Sequence, residues 1–326
     1  MHRRQFLKQS AFKLTAASLA TLALPGLSGC FGEQPLHTGV HPWIGYEPLL
    51  LARDFGWMPA SVEIAFGQTS LRSMAGLQDG SLDAAALTLD EALRVHASGT
   101  PLRAVAVTNV SVGADVILAR PGIQSLDDLR GRVIGVELAG VSGVLLFAAM
   151  ERRGLARSDV TLLDLPVTEH VAAWQEGRID VSVCYHPTAG VLESLGAVRL
   201  FDSADMPETI FDLLVVTRRA EKRQAGAISD LVQGYFAGLR HLVRNQYDAV
   251  YRIATRQDIA PAAVQQALAL VTLPEMAANH RLLAPQGRVE LMAQQLSELL
   301  FREQLIDQKP EFDQFCTRRF LPRGAV

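Results

Sequence analysis

The chain is poor in the residues on which disulfide-stabilised proteins depend. Its 326 residues include three cysteines, and aromatic residues make up 6%. Cys184 and Cys316 have no spacing that requires a bridge. A chain with so few cysteines must be stabilised by its hydrophobic core, and a chain of this length can bury a large one.

The sequence also lacks the Gly-x-Ser-x-Gly turn that presents a nucleophilic serine. Its histidines do not form an evident metal site with the cysteines, which are far apart in the chain. We therefore expect no metal, no cofactor and no enzymatic activity. An enzyme remains an alternative if distant residues converge in the fold.

The amino terminus has the organisation of an export signal. Four basic residues and no acid occur up to Lys13, an apolar stretch of small residues follows, and "LSGC" ends at Cys30. "RRQFLK" resembles a twin-arginine signal, and "LSGC" resembles the bacterial lipobox, whose cysteine carries lipid after cleavage. We interpret residues 1–29 as a signal peptide, Cys30 as a lipidation site and residues 30–42 as a tether.

The charge of the mature chain is negative. Without residues 1–29, which hold four of the 31 basic residues, 27 basic residues face 34 acidic ones, and the formal net charge is −7. Such a surface does not attract nucleic acid or anionic lipid. We expect a monomer held on the periplasmic side of a membrane by the lipid on Cys30.

Strands and helices alternate in two successive blocks. The first block contains the strand patterns "LHTGV", "SVEIAFG" and "LDAAAL", and the second runs from "RVIGVEL" to "AVRLFDS". After "IFDLLVVTRR" the pattern is helical. Alternation of this kind predicts an α/β fold with two lobes, each built on a parallel-rich sheet, and a helical C-terminal tail.

Five turns lead from a strand to a helix: "WIGYEP", "FGQTSL", "LTLDEA", "ELAGVSG" and "CYHPTAG". The carboxyl ends of parallel strands are where such sheets bind ligands, and the free N–H groups of helix amino termini suit anions. The candidate ligand-binding residues are Trp43, Gly45, Tyr46, Gln68, Thr69, Ser70, Thr88, Asp115, Glu137, Ser142, Tyr185 and His186.

The acidic candidates have competing interpretations. Asp90 and Glu91 suit the first turn of a helix through its dipole. Asp115 follows a polar turn where the chain leaves the first lobe, so it orients hinge backbone or touches ligand. Glu137 ends an apolar strand, and if it faces the cleft the ligand carries a cationic or amine group.

Several stretches together resemble the periplasmic substrate-binding proteins of ABC importers for nitrate, taurine, sulfonates and thiamine-pyrimidine precursors. They are "WIGYEPLLLARDFGW", "LQDGSLDAAALTLDEAL", "SVGADVILARPGI", "LDDLRGRVIGVE" and "LFDSADMPETIFDLLVV", within residues 38–218. The resemblance implies a type II fold with a hinge between two lobes that close on a small ligand, and an ABC permease as partner. On this resemblance we expect residues 43–115 and 213–326 in lobe 1, and residues 116–212 in lobe 2. It matches Trp43, Gly45 and Tyr46 to the first ligand loop, Gln68 to Ser70 to the second, and Thr88 to the third.

The sequence does not identify the solute. A sulfonate-like or nitrate-like oxyanion suits the helix amino termini, whereas an amine or a heteroaromatic ring, as in a thiamine-pyrimidine precursor, suits Glu137 and the aromatics. A zwitterion such as taurine, an amino-sulfonate, satisfies both. Many relatives have Glu before the proline of the second-lobe loop, where this chain has His186. A receptor that signals to a membrane sensor is the other alternative.

Overall fold

The computed structural model describes residues 34–312 and 314–323. The predicted signal peptide and the lipidation site at Cys30 lie outside these residues. The strands are β1 (Leu36–Val40), β2 (Val62–Phe66), β3 (Ala84–Thr88), β4 (Leu102–Ser111), β5 (Asp115–Ala119), β6 (Val133–Val136), β7 (Thr161–Asp164), β8 (Val181–Tyr185), β9 (Val198–Asp202), β10 (Phe211–Thr217) and β11 (Val271–Thr272).

The α-helices follow most strands in the first two thirds of the described chain and then dominate its last third. They are α1 (Glu47–Asp54), α2 (Ser70–Asp79), α3 (Leu89–Ala97), α4 (Val141–Glu151), α5 (His170–Gln175), α6 (Thr188–Ser194), α7 (Arg218–Arg223), α8 (Ala225–Arg244), α9 (Gln246–Gln257), α10 (Pro261–Ala269), α11 (Met276–Leu282) and α12 (Arg288–Arg302). Gly56 and Gly80, predicted to end helices, have φ of 70° and 81°.

The strands form two mixed sheets, which confirms the predicted two-lobed α/β architecture. The first has six strands in the order β11-β4-β10-β3-β1-β2, and the second has five in the order β7-β6-β8-β5-β9. β1 pairs in parallel with β2 and β3, and β6 with β7 and β8. The antiparallel strands are β10 and β11 in the first sheet and β5 in the second. We call residues 36–111 and 211–323 lobe 1, and residues 115–202 lobe 2.

Two crossovers join the lobes, at residues 112–114 and 203–210. The expected boundaries at 115/116 and 212/213 fall inside β5 and β10, so both need correction. Ser203 connects the two crossovers: its Oγ accepts the Gly113 N–H at 2.7 Å and lies 2.7 Å from Ser111 Oγ at the end of β4. Bending at one crossover is therefore coupled to bending at the other.

The predicted tether is too long at its carboxyl end. Residues 36–40 form β1, which pairs with both β2 and β3 in the interior of the sheet. Leu36 and Val40 are fully buried. Apolar side chains and ladder hydrogen bonds therefore fix these residues in lobe 1, and a tether beginning at Cys30 ends before residue 36.

The helical C-terminal region packs against lobe 1. α8 lies so close to α1 that a Cβ on Gly238 would stand 1.9 Å from the carbonyl oxygen of Pro48. The two-residue strand β11 interrupts the region, which we expected to be wholly helical; it pairs with the end of β4.

In the part of the chain that the structure describes, no helix is long and apolar enough to span a membrane.

Candidate functional site

A cavity of about 40 Å³ lies between the two lobes, where β1, β3, β6 and β8 reach their carboxyl ends. This is the edge at which parallel sheets place their ligands. The lining residues are His41, Pro42, Trp43, Ser70, Thr88, Glu91, Ile210 and Asp212 from lobe 1 and the crossover beside it, and Asp115, Glu137, Gly140, Val141 and Tyr185 from lobe 2. Six of the twelve predicted residues are among them, and their contact with a ligand stays a prediction.

Two aromatic side chains from opposite lobes meet at this cavity. The rings of Trp43 and Tyr185 have centroids 5.7 Å apart and planes at 86°, an edge-to-face contact. The Asn109 amide fits its neighbours when its oxygen accepts the Trp43 indole N–H at 3.2 Å and its nitrogen donates to Asp212 Oδ2 at 3.0 Å. Trp43 is thereby held by lobe 1 while its ring touches lobe 2.

Gly45 and Tyr46 lie behind the cavity wall. A Cβ on Gly45 would stand 2.3 Å from Asn109 Cγ, so the missing side chain makes room for the amide that orients Trp43. Tyr46 is fully buried, and its hydroxyl donates a hydrogen bond to Asp212 Oδ1. Both residues therefore support Trp43 and Asp212, whereas the sequence predicted that they would face the ligand.

The second loop contributes one residue of the predicted three. Ser70, the first residue of α2, lines the cavity. Gln68 and Thr69 are exposed and do not line it. Thr69 is the N-cap residue of α2, but its side chain makes no capping hydrogen bond. A strand-to-helix turn predicts where the helix begins, whereas the direction of its side chains depends on the tertiary fold.

The third loop is closed by a capping box at the start of α3. The Thr88 N–H donates to Glu91 Oε2 at 2.9 Å, and Thr88 Oγ1 donates to Asp90 Oδ1 at 2.7 Å. Both acids occupy the first turn, where the helix dipole favours them as predicted. Glu91 also lines the cavity. The sequence pattern that places it in the first turn of α3 does not reveal this second role.

Asp115 combines the two positions that the sequence left open. It begins β5 directly after the first crossover, and its Oδ2 accepts a hydrogen bond from Ser111 Oγ at 2.6 Å. It is 3% exposed and lines the cavity. One carboxyl group therefore touches both the hinge network and the space between the lobes.

Two predicted residues of lobe 2 lie away from the cavity wall. Ser142 is buried in the first turn of α4, next to the lining residues Gly140 and Val141. His186 follows β8, and its ring lies against Gly190. The adjoining Tyr185 takes the position facing lobe 1, because alternate residues of an extended strand point to opposite sides.

The sequence analysis missed His41 and Asp212 on the cavity wall. Asp212 is the only acid in the otherwise apolar segment "IFDLLVV", and a charged residue inside a buried strand was the signal that could have identified it. His41 follows β1 directly. It stands four residues after His37, a spacing that joins two metal ligands on a helix; along a strand the same spacing separates them by about 13 Å.

The cavity is strongly acidic. Burial, aided by repulsion from Asp90 and Glu91, raises the pKa of Asp115 to about 7. Burial and the neighbouring Glu91 raise the pKa of Glu137 to about 7. Burial also raises the pKa of Glu91 and, well above its usual range, that of Asp212.

Positive charge is scarce at the same wall. Its lining residues include no lysine or arginine. Burial lowers the pKa of His41 to about 4, so that ring is neutral at pH 7. Within residues 34–312 and 314–323, no group of three or more His, Cys, Asp or Glu side chains is arranged to hold a metal ion.

Sequence comparison matches the chain to one family model and to relatives that are named as binding proteins. The model of the family described as "NMT1/THI5 like" matches residues 47–249. The "Putative aliphatic sulfonates-binding protein" of Escherichia coli strain K12 is 25% identical over 248 residues, which cover 74% of each chain. The taurine-binding periplasmic protein of the same strain is 25% identical over 134 residues, 40% of each chain.

Solved structures share the fold at low sequence identity. The alkanesulfonate-binding protein SsuA from Xanthomonas axonopodis pv. citri, bound to MOPS, superposes with a TM-score of 0.72 and 18% identity over 87% of this chain and 98% of its own. The desulfurization enzyme DSZB superposes with a TM-score of 0.63 and 16% identity over 87% of this chain and 97% of its own. The periplasmic binding-protein fold is thus shared by receptors and by at least one enzyme.

Proposed function

Because the chain belongs to the NMT1/THI5-like family, we propose that it is the solute-binding component of an ABC importer. It captures a small nitrogen- or sulfur-containing solute between its lobes and delivers that solute to a membrane permease. The observation that carries this proposal is the contact of Trp43 and Tyr185 from opposite lobes across a polar cavity.

The proposed mechanism is a shift between open and closed populations. A cavity of about 40 Å³ has room for only a few water molecules, since each needs about 10–15 Å³ by a comparable measure. A solute must therefore enter while the lobes are apart. The bound solute then favours the closed form, because it can contact both lobes only when they are together.

The identity of the solute is the finer part of the proposal. The relatives named for sulfonates and taurine support a sulfonate-like, taurine-like or nitrate-like ligand. The amino terminus of α4 supports it as well, because Gly140 and Val141 line the cavity and N–H groups of a first turn suit an oxyanion. A thiamine-pyrimidine precursor is the second candidate, favoured by the two aromatic rings and the carboxyl groups.

The alternative of an enzyme has less support. The curated relatives are named as binding proteins, although DSZB shows that the fold also serves catalysis. Cys184 and Cys316 are both buried and neither lines the cavity, so they do not offer a nucleophile there. A receptor that signals to a membrane sensor would use the same closure, and uptake measurements distinguish it from a transport component.

We further propose that the protein works on the periplasmic side of a membrane as a lipoprotein. The taurine-binding relative is named as periplasmic. The order of basic residues, apolar stretch and "LSGC" in the sequence supports export and lipidation at Cys30.

The test combines native mass spectrometry of the freshly isolated protein with small-angle X-ray scattering. We expect a bound small molecule, and a decrease in the radius of gyration when it is added back to dialysed protein. A cell extract that yields no bound molecule and no compaction would contradict the receptor function. Loss of uptake of the identified solute after deletion of the gene would assign the protein to transport.

A further inference from the structure

The four carboxyl groups of the cavity come from both lobes. Glu91 and Asp212 belong to lobe 1, and Asp115 and Glu137 to lobe 2. A Cβ on Gly140 would lie 3.7 Å from Glu91 Oε1 and 3.8 Å from Glu137 Oε2, so the two glutamates converge over the same glycine. When the two glutamates are ionised, closing the lobes brings like charges together, and repulsion between them opposes closure.

Several hydrogen-bond acceptors at the cavity have no donor among the described residues. Asp115 is 3% exposed, and among the described residues its carboxyl accepts one side-chain hydrogen bond, at Oδ2 from Ser111. No described residue donates a hydrogen bond to the Glu137 carboxyl at the cavity wall. His41 Nδ1 is also shielded from solvent without a hydrogen-bond partner in the described chain. These carboxyl oxygens can therefore accept hydrogen bonds that a ligand donates.

The charge of Arg94 acts on Glu91 from outside the cavity wall. Arg94 lies 3.5 Å from Asp90 and donates to the Leu305 carbonyl, and it is not part of the cavity wall. The amino terminus of α4 contributes about half a positive charge at most. This is smaller than the charge of the glutamates beside it whenever they are ionised.

The aromatic rings at the cavity suit the same kind of ligand. The faces of Trp43 and Tyr185 are electron-rich, and cations bind over such faces when water is excluded. Ionised carboxyl groups repel sulfonate or nitrate, whereas they attract a cation. A compact cation would reduce the repulsion between Glu91 and Glu137 and thereby favour the closed form.

We propose that the solute is a small organic cation with several N–H donors, such as a primary ammonium, an amidinium or a guanidinium, held between Glu91 and Glu137. This inference rests on the proposed receptor function, but it replaces the sulfonate-like or nitrate-like ligand considered there with a cation. The cation donates hydrogen bonds to Glu137 and to the free oxygen of Asp115, while Trp43 and Tyr185 cover it.

Isothermal titration calorimetry of the dialysed mature protein, residues 30–326, tests the ligand class. The probes are ethylammonium, 1,2-diaminoethane, acetamidinium and guanidinium, compared with methanesulfonate, taurine, nitrate and tetramethylammonium. We expect at least one N–H cation to bind at least tenfold more tightly than every anion, taurine and tetramethylammonium. Tighter binding of methanesulfonate, taurine or nitrate would overturn the inference, and equal binding of tetramethylammonium would overturn the requirement for N–H donors.

A pair of Glu→Gln variants tests whether Glu137 contacts the cation. Glu137→Gln keeps the shape of the side chain and removes its charge, and we expect at least a tenfold weaker affinity for the bound cation. Glu169→Gln makes the same change at an exposed position of lobe 2 and should leave affinity unchanged. Equal affinities of wild type and Glu137→Gln would overturn the proposed contact.

The inference and the receptor function fail in different ways. A sulfonate or other anion recovered from the isolated protein, with compaction in scattering, contradicts the cation and leaves the receptor function intact. Zn²⁺ or Ca²⁺ binding in place of the organic probes also contradicts it. Absence of any bound molecule and of compaction with every probe and with cell extract contradicts both.

Discussion

Trp43 of lobe 1 and Tyr185 of lobe 2 touch edge to face, with ring centroids 5.7 Å apart. Each ring also lines the cavity between the lobes. The contact exists only while the lobes are together, so it contributes to the closed form and to the enclosure of a solute. Its contribution can be separated from that of the hydrophobic core, because Trp43 is only partly buried.

Trp43→Ala should weaken solute binding more than it weakens folding. We expect at least a tenfold increase in Kd, about 1.4 kcal/mol, and a smaller decrease in the free energy of unfolding. Calorimetry and urea denaturation measure the two quantities. Trp57→Ala removes a tryptophan that is 42% exposed and does not line the cavity, and should leave Kd unchanged. Equal losses of binding and stability in Trp43→Ala would assign the residue to the core.

Tyr46→Phe should destabilise the fold through Asp212. The variant removes the hydroxyl that donates to Asp212 Oδ1, and both side chains are buried. A buried acceptor that loses its donor costs about 1–3 kcal/mol. Urea denaturation of Tyr46→Phe and of Tyr247→Phe, whose ring is 89% exposed, provides the comparison. A Tyr46→Phe protein as stable as the control would show that the hydroxyl contributes little.

The free energy of unfolding of the ligand-free protein should fall as pH rises from about 4 to about 7. The cause is the raised pKa of its buried carboxyl groups. Asp115 has a folded pKa of about 7 against about 4 in an unfolded chain, because it is buried. The folded state therefore binds more protons in this window, and the free energy of unfolding falls with rising pH. Below about pH 4 both states are protonated and this effect disappears.

Asp115→Asn isolates that contribution. We expect the variant to gain stability relative to wild type between pH 5 and pH 8, by an amount on the order of 2 kcal/mol. Asp127→Asn, an exposed change in the same lobe, should follow the wild-type curve. Parallel curves for Asp115→Asn and wild type would show that Asp115 has an ordinary pKa in the folded state.

Gly238→Ala should disrupt the packing of α8 on α1. The added methyl group would stand 1.9 Å from the Pro48 carbonyl oxygen, which belongs to backbone and cannot rotate away. We expect a loss of about 1–3 kcal/mol in the free energy of unfolding. Gly226→Ala in the same helix meets nothing within 4 Å and should be neutral or slightly stabilising. Similar stabilities for the two variants would mean that α8 shifts at little cost.

Cys30→Ala should release the protein from the membrane fraction without changing its affinity for solute. The lipid is proposed at this residue, and the cavity is built from residues 41–212. Fractionation followed by immunoblotting measures the first effect and calorimetry the second. Persistence of the variant in the membrane fraction would contradict lipidation as the anchor.

The sequence predicted the fold well because its signals are local. Apolar runs, helix periodicity and glycines such as Gly56 and Gly80 report on a few neighbouring residues. The crossover positions were less accurate, since apolar strands continue through both expected boundaries. β11 was missed because a two-residue strand has no period to detect.

The site was less predictable because it depends on contacts between distant segments. Gln68 and Thr69 lie in the expected loop, but the orientation of their side chains is set by the packed fold. Glu91 has a complete local explanation as a capping residue, and that explanation concealed its place in the cavity. The pairing of Tyr46 with Asp212 joins positions 166 residues apart, which one sequence alone does not reveal.

The position of β10 between β3 and β4 has a consequence for the order of folding. Lobe 2 is continuous in sequence, so it can assemble as soon as residue 202 has been synthesised. The sheet of lobe 1 has a gap between two of its strands until residues 211–217 arrive, and both exposed strand edges can meanwhile pair wrongly. The lobe that begins first along the chain is therefore completed last, and a chain truncated before residue 211 should yield lobe 2 folded beside an aggregation-prone remainder.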